Sequence, residues 1–170
     1  LANFNHDFSD LGQWAGINTE RVNANINNIK LAVTQYTASD NILDVLGTKL
    51  VKGRALDVED PSKLVWISNS LWQQQYAGLS SALESPINVS GKQYIIAGVI
   101  EDILSIDSQE PILTEQVWFI KNLNQELQKD ETANLASILP HVLFRANQPE
   151  SKMPDEQTIK QWQRDFIKKK

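Results

Sequence analysis

Residues 87–99, Ile-Asn-Val-Ser-Gly-Lys-Gln-Tyr-Ile-Ile-Ala-Gly-Val, constrain this chain more than any other stretch. Two apolar, β-rich runs flank Ser90-Gly91, a dipeptide suited to a two-residue hairpin turn. A hairpin alone is marginal in water, and the chain offers further strands to complete a sheet. Ile29, Leu31 and Val33 alternate with Lys30, Ala32 and Thr34, the pattern of a half-buried strand. Leu64 to Ile67 is a short buried strand, and Val117-Trp-Phe-Ile and Val142-Leu-Phe-Arg predict two more.

Helical signals are interleaved with these. Residues 7–15 place Phe8, Leu11 and Trp14 or Ala15 on one face of a short helix. Residues 22–28 are rich in asparagine and predict a turn region. Residues 36–54 read as a short helix capped by Ser39 or Asp40, a stop at Gly47, and a strand ending in Gly53-Arg54. Ser68 or Asn69 caps a helix running to Tyr76 and stopped by Gly78, with Trp72 and Tyr76 on one face. Residues 155–169, after Pro154, carry Ile159, Trp162 and Phe166 on one helical stripe. Mixed helices and hairpins of this kind predict an α+β domain with a mixed sheet, with soft boundaries near 51–60 and 105–115.

The 170 residues are enough for one domain with a real core. The longest apolar run, Tyr94 to Ile100, is far short of the roughly 20 residues that cross a bilayer, so the expectation is a soluble chain. It begins with Leu1, not Met, and shows no signal-peptide pattern, as expected of an excised fragment or a mature chain. The net charge of −5 gives no support for nucleic-acid binding. Lys168-Lys169-Lys170 could flank a membrane, although on the residues alone a frayed, solvated helix end is favoured. The absence of cysteine excludes disulfides, thiol catalysis and cysteine-based zinc sites.

No residue pattern defines a catalytic, metal or cofactor site. His6 and His141 lack partners at metal-ligand spacing, and there is no Gly-x-Ser-x-Gly elbow. Asp57, Glu59 and Asp60 lie in an acidic loop closed by Pro61. This loop and Glu101-Asp102 would need to converge in a cleft to serve a hydrolase, and a surface role is favoured. No glycine-rich phosphate cradle occurs, so the chain itself should not bind ATP. Trp14, Trp66, Trp72, Trp118 and Trp162 could line an aromatic pocket, but their positions on apolar stripes favour core packing. Asn88-Val-Ser90 matches a glycosylation acceptor but abuts the tight hairpin.

Three blocks, taken in order, resemble the extracytoplasmic (periplasmic) core domain of MacB-type, FtsX-like ABC-transporter permeases. The first comprises Tyr36, Ser39, Leu46-Gly47 and Gly53-Arg54. The second is Ser68, Leu71-Trp72, Tyr76 and Gly78. The third is Gly91, Tyr94 and Gly98-Val99, followed by Trp118, Arg145 and an amphipathic helix. Ile42 and Leu43 stand where the family often has aromatics, and Glu84-Ser85 where it has a glycine.

The resemblance implies a two-lobed α+β domain, one lobe split over 1–50 and 111–170 and the other inserted at about 51–110. It implies a location outside the inner membrane, between two transmembrane helices. It further implies no catalysis and no cofactor of the domain's own, and coupling to an ABC ATPase elsewhere. Antimicrobial peptides, macrolides, lipopeptides or lipoproteins are the cargo it suggests. A periplasmic accessory protein and a second copy are the partners. A cell-division regulator of the same superfamily is a weaker variant. The alternative of a different class is a free-standing secreted carbohydrate-binding or carboxylate hydrolase domain.

Overall fold

A computed structural model describes residues 12–56, 63–103, 115–121, 141–146 and 157. Eight strands belong to one mixed sheet. They are β1 (Gly12–Ile26), β2 (Ile29–Ala38), β3 (Leu50–Gly53), β4 (Leu64–Ser68), β5 (Pro86–Val89), β6 (Lys92–Ile100), β7 (Gln116–Ile120) and β8 (His141–Ala146). Two short helices, α1 (Ile42–Leu46) and α2 (Asn69–Tyr76), and a 3-10 turn at Ser80–Ala82 complete the described elements. The α+β class and the mixed sheet expected from the sequence are both present.

Six strands close into a ring, β1–β2–β7–β4–β6–β5 and back to β1. Two long strands make this possible by changing partner halfway along one edge. β1 pairs with β8 at residues 12–17 and with β5 at Ala24 and Asn25. β6 pairs with β5 over its first residues and with β3 at Gly98 to Ile100. Every ring strand contributes to one buried cluster, including Ala24, Val33, Val117, Val65, Ile96 and Ile87, so this cluster fills the ring. Leu71 and Trp72 of α2 join it.

The opposite face of the sheet carries a second cluster: Ala15, Ile17, Tyr36, Ala38, Trp66, Ile100 and Trp118, covered by Ile42 and Val45 of α1. On β4, Val65 and Ile67 point to the first cluster and Trp66 to the second. A strand buried on both faces reads as an unbroken apolar run, and Leu64-Val-Trp-Ile does so. On β6 the register slips at Ala97, so that Val65 faces Ile96 while Trp66 faces Gly98. This bulge keeps Ile96 and Val99 in the ring although they are an odd number of residues apart.

Several sequence expectations hold. The β5–β6 hairpin turns at Ser90 and Gly91, with φ of 52° and 80°. Ser68 Oγ caps α2 by accepting from the Leu71 N–H, and Gly47 ends α1 at φ 67°. Other expectations are corrected. Residues 12–15, expected in a helix, form the start of β1, because they pair in register with β8 and alternate Ala15 and Ile17 into the core. The rest of that expected helix lies outside the described residues. The turn expected over 22–28 is confined to Asn27 and Asn28, both at positive φ. Asn23 and Asn25 instead take the face opposite the core while Ala24 and Ile26 point inward. Helix α1 starts at Ile42, and neither Ser39 nor Asp40 is its cap residue, which is Asn41. The Ser39 hydroxyl instead accepts from the Gly16 N–H and donates to Asn41 Oδ1. Apart from helical Gln157, the helix expected over 155–169 lies outside the described residues, as does the acidic loop at 57–60.

Candidate functional site

The motif residues meet as structural joints. Gly53 of β3 faces Gly98 of β6. A Cβ on Gly53 would stand 2.3 Å from the Ala97 carbonyl oxygen, and one on Gly98 would stand 3.0 Å from the Arg54 carbonyl. Only paired glycines let the two backbones approach this closely. Tyr36 stacks on Trp118, ring centroids 4.0 Å apart, and Tyr94 meets Phe119 edge-on at 4.8 Å. Burial pushes the phenols of Tyr36 and Tyr76 above the ordinary 10.0. Among the described residues the Tyr76 hydroxyl is buried without a hydrogen-bond partner.

The candidate chemical groups are engaged in holding the fold. Asp102 accepts from the Ser70 N–H (2.8 Å) and hydroxyl (2.6 Å) at the start of α2, and Glu101 accepts from the Lys49 N–H at 3.0 Å. The indoles of Trp66 and Trp118 are fully buried, and Trp72 is nearly so. Each indole N–H has an acceptor: the Arg54 carbonyl, the Gln116 amide oxygen and the Leu79 carbonyl, respectively. This is a core role for the three. The Trp14 side chain, Trp162 and His6 lie outside what is described. His141 is exposed on β8. Asn88 Oδ1 accepts from the Gly91 N–H inside the hairpin turn. Among the described residues no group of three His, Cys, Asp or Glu side chains could hold a metal ion.

Sequence reasoning passed over Gln116. It is fully buried; its amide donates to the Ile103 carbonyl at 2.6 Å and accepts from the Ile103 and Trp118 N–H groups. Its backbone N–H donates to Ser68 Oγ at 3.0 Å. Its one signal in the sequence is a glutamine directly before an apolar run.

The ends of the described core form the most suggestive geometry. Gly12, where β1 begins, is paired with Ala146, where β8 ends. Paired residues of an antiparallel ladder lie about 5 Å apart. From Gly12, β1 runs 15 residues, roughly 45 Å in extended form, to the Asn27-Asn28 turn. There it lies beside the β5–β6 hairpin, since Ser90 donates to the Asn23 carbonyl. The described sheet thus has one end where Gly12 and Ala146 lie side by side and an opposite end made of two hairpin turns.

These features define a mixed-sheet domain whose motif residues build joints within the fold. Its family is now evident: the chain belongs to the MacB-like periplasmic core domain family, whose profile matches residues 8–160. Two solved structures share the fold. The periplasmic region of MacB from Actinobacillus actinomycetemcomitans is 14% identical, with a TM-score of 0.62 over 99% of this chain and 71% of that one. The extracellular domain of the noncanonic ABC-type transporter YknZ from Gram-positive bacteria is 13% identical, with a TM-score of 0.61 over 87% of this chain and 72% of that one. No curated protein matches the sequence.

Proposed function

We propose that this chain is the extracytoplasmic domain of an ABC-transporter permease subunit. Family membership supports this reading, and Gly12 beside Ala146, the outermost described pair of the β1–β8 ladder, is the observation in the structure that carries it. A domain inserted between two transmembrane helices must receive and return the chain on one side, and a side-by-side pair meets that need. In this reading ATP is hydrolysed by a separate cytoplasmic domain or subunit. The two helices transmit the resulting movement to this body, which has no catalytic role. The body contacts cargo, an accessory protein or a second copy. Antimicrobial peptides, macrolides, lipopeptides and lipoproteins are the candidate cargo.

The division into a split lobe (1–50 with 111–170) and an insert (51–110) belongs to the same proposal. The core composition supports it. Nine of the 13 buried members of the ring cluster come from the insert, from Val65 to Val99. Seven of the ten in the second cluster come from the split segments.

The test uses the full-length protein in cells. The chain has no cysteine, so Ser81→Cys, at an exposed position, introduces a single reporter within it. A membrane-impermeant maleimide should label it in intact cells with a permeabilised outer layer. Labelling only after lysis of the inner membrane would overturn the reading. Apolar segments of about 20 residues should flank the domain in the coding sequence.

A further inference from the structure

We infer that Arg145 is a latch that holds the β1–β8 seam shut at its Gly12–Ala146 end. The β1–β2 ladder begins only at Ile17. Before that residue, β1 pairs with β8, from Gly12 opposite Ala146 to Gly16 opposite Val142. Gly16 is further held by Ser39, through its N–H to Ser39 Oγ and its carbonyl to the Ser39 N–H. The principal neighbours of β8 among the described elements are β1 and α1.

Among the described side chains, two join β8 to the body on the α1 side. Leu143 packs against the second core cluster. Arg145, next to the Gly12–Ala146 rung, donates from Nη1 to the Asp44 carbonyl at 2.6 Å. That carbonyl belongs to the last turn of α1, where it also accepts from the Gly47 N–H and where the helix dipole favours a cation. The guanidinium passes so close to Gly47 that a Cβ there would be 3.2 Å from Nη1. Glycine at 47 thus serves two purposes: the left-handed turn that ends α1, and room for the arginine of a distant strand.

The geometry decides what the latch resists. Gly12 and Ala146 are the outermost described rung of the ladder, so pulling the two strands apart from that end peels them one rung at a time. Peeling opposes few bonds at once, and a charged contact beside the first rungs raises the cost of starting. Any role in transmitting motion from membrane helices rests on the reading proposed above. The latch itself is a property of the 170-residue chain.

Amide hydrogen exchange on that chain, with wild type beside Arg145→Ala and Arg145→Lys, tests it. The latch predicts that Arg145→Ala lowers protection of residues 12–16 and 141–146 by about five- to tenfold, while β4 and β6 change less than about twofold. Arg145→Lys, which keeps a cationic donor, should recover part of the lost protection. A uniform fall across all strands, an unfolded Arg145→Ala chain, or no change at the seam would each overturn it. The measurement needs neither membrane nor nucleotide, so failure of the transport reading would leave its outcome intact.

Discussion

Replacing Gln116 by methionine tests how much one buried amide contributes to joining the two halves of the core. Methionine has nearly the same length and volume, so the change removes polar contacts without opening a cavity. Among the described residues, three groups lose a partner: the buried Trp118 indole N–H, and the N–H and carbonyl of the partly buried Ile103. A buried orphan costs about 1–3 kcal/mol, and a group that water can reach costs about 0.5–1.5 kcal/mol. Relief from burying the glutamine amide offsets part of this, leaving an expected loss of about 2–4 kcal/mol. That is a large share of the roughly 5–15 kcal/mol that holds an ordinary domain. Urea unfolding should show a lower midpoint with an unchanged slope. Adding Trp118→Phe removes the orphaned indole N–H, so a double-mutant cycle should give a coupling of about 1–2 kcal/mol. A single-variant loss below about 0.5 kcal/mol, or additivity within about 0.3 kcal/mol, would refute the reasoning.

Three further outcomes are expected. Gly53→Ala and Gly91→Ala share the cost of positive φ, about 1–2 kcal/mol. Gly53→Ala also drives a methyl into the Ala97 carbonyl, whereas Gly91 has nothing within 4 Å; thermal unfolding should therefore show Gly53→Ala the worse by at least about 1–2 kcal/mol. Tyr76→Phe should keep or raise the denaturation midpoint, by up to about 1 kcal/mol, because the lost hydroxyl is buried and unpartnered. The raised pKa values of Tyr36 and Tyr76 mean that the folded chain keeps protons the unfolded chain releases. Stability from this source is complete below the ordinary 10.0 and is lost as pH rises through the folded values. The Tyr36→Phe, Tyr76→Phe double variant should lose less stability between pH 9 and pH 11 than wild type, as measured by urea midpoints.

The strands and caps that were legible in the sequence are those whose signal is local. Ser90-Gly91, Ser68 before α2, Gly47 after α1 and the alternation from Ile29 to Val33 all specify backbone angles or one buried face within a few residues. The first rungs of β1 were not legible. Phe8, Leu11 and Trp14 have helical spacing, and the β8 partner that turns 12–15 into a strand lies far along the chain. The candidate carboxylates and tryptophans could be named but not assigned. Asp102 is a cap because β6 ends beside α2, and Trp66 is in the core because β4 is buried on both faces.

The sequence by itself determined where the backbone turns, which runs are apolar and, through its ordered motifs, which family the chain resembles. It did so because turn angles and side-chain periodicity are set by neighbouring residues. Only the tertiary structure decided that the strands close into a ring and that Gly53 and Gly98 meet. It alone put Arg145 beside Gly47 and Gly12 beside Ala146. Each of these depends on hydrogen bonds and close contacts between segments far apart in sequence, and no local pattern encodes which distant edge a strand will find.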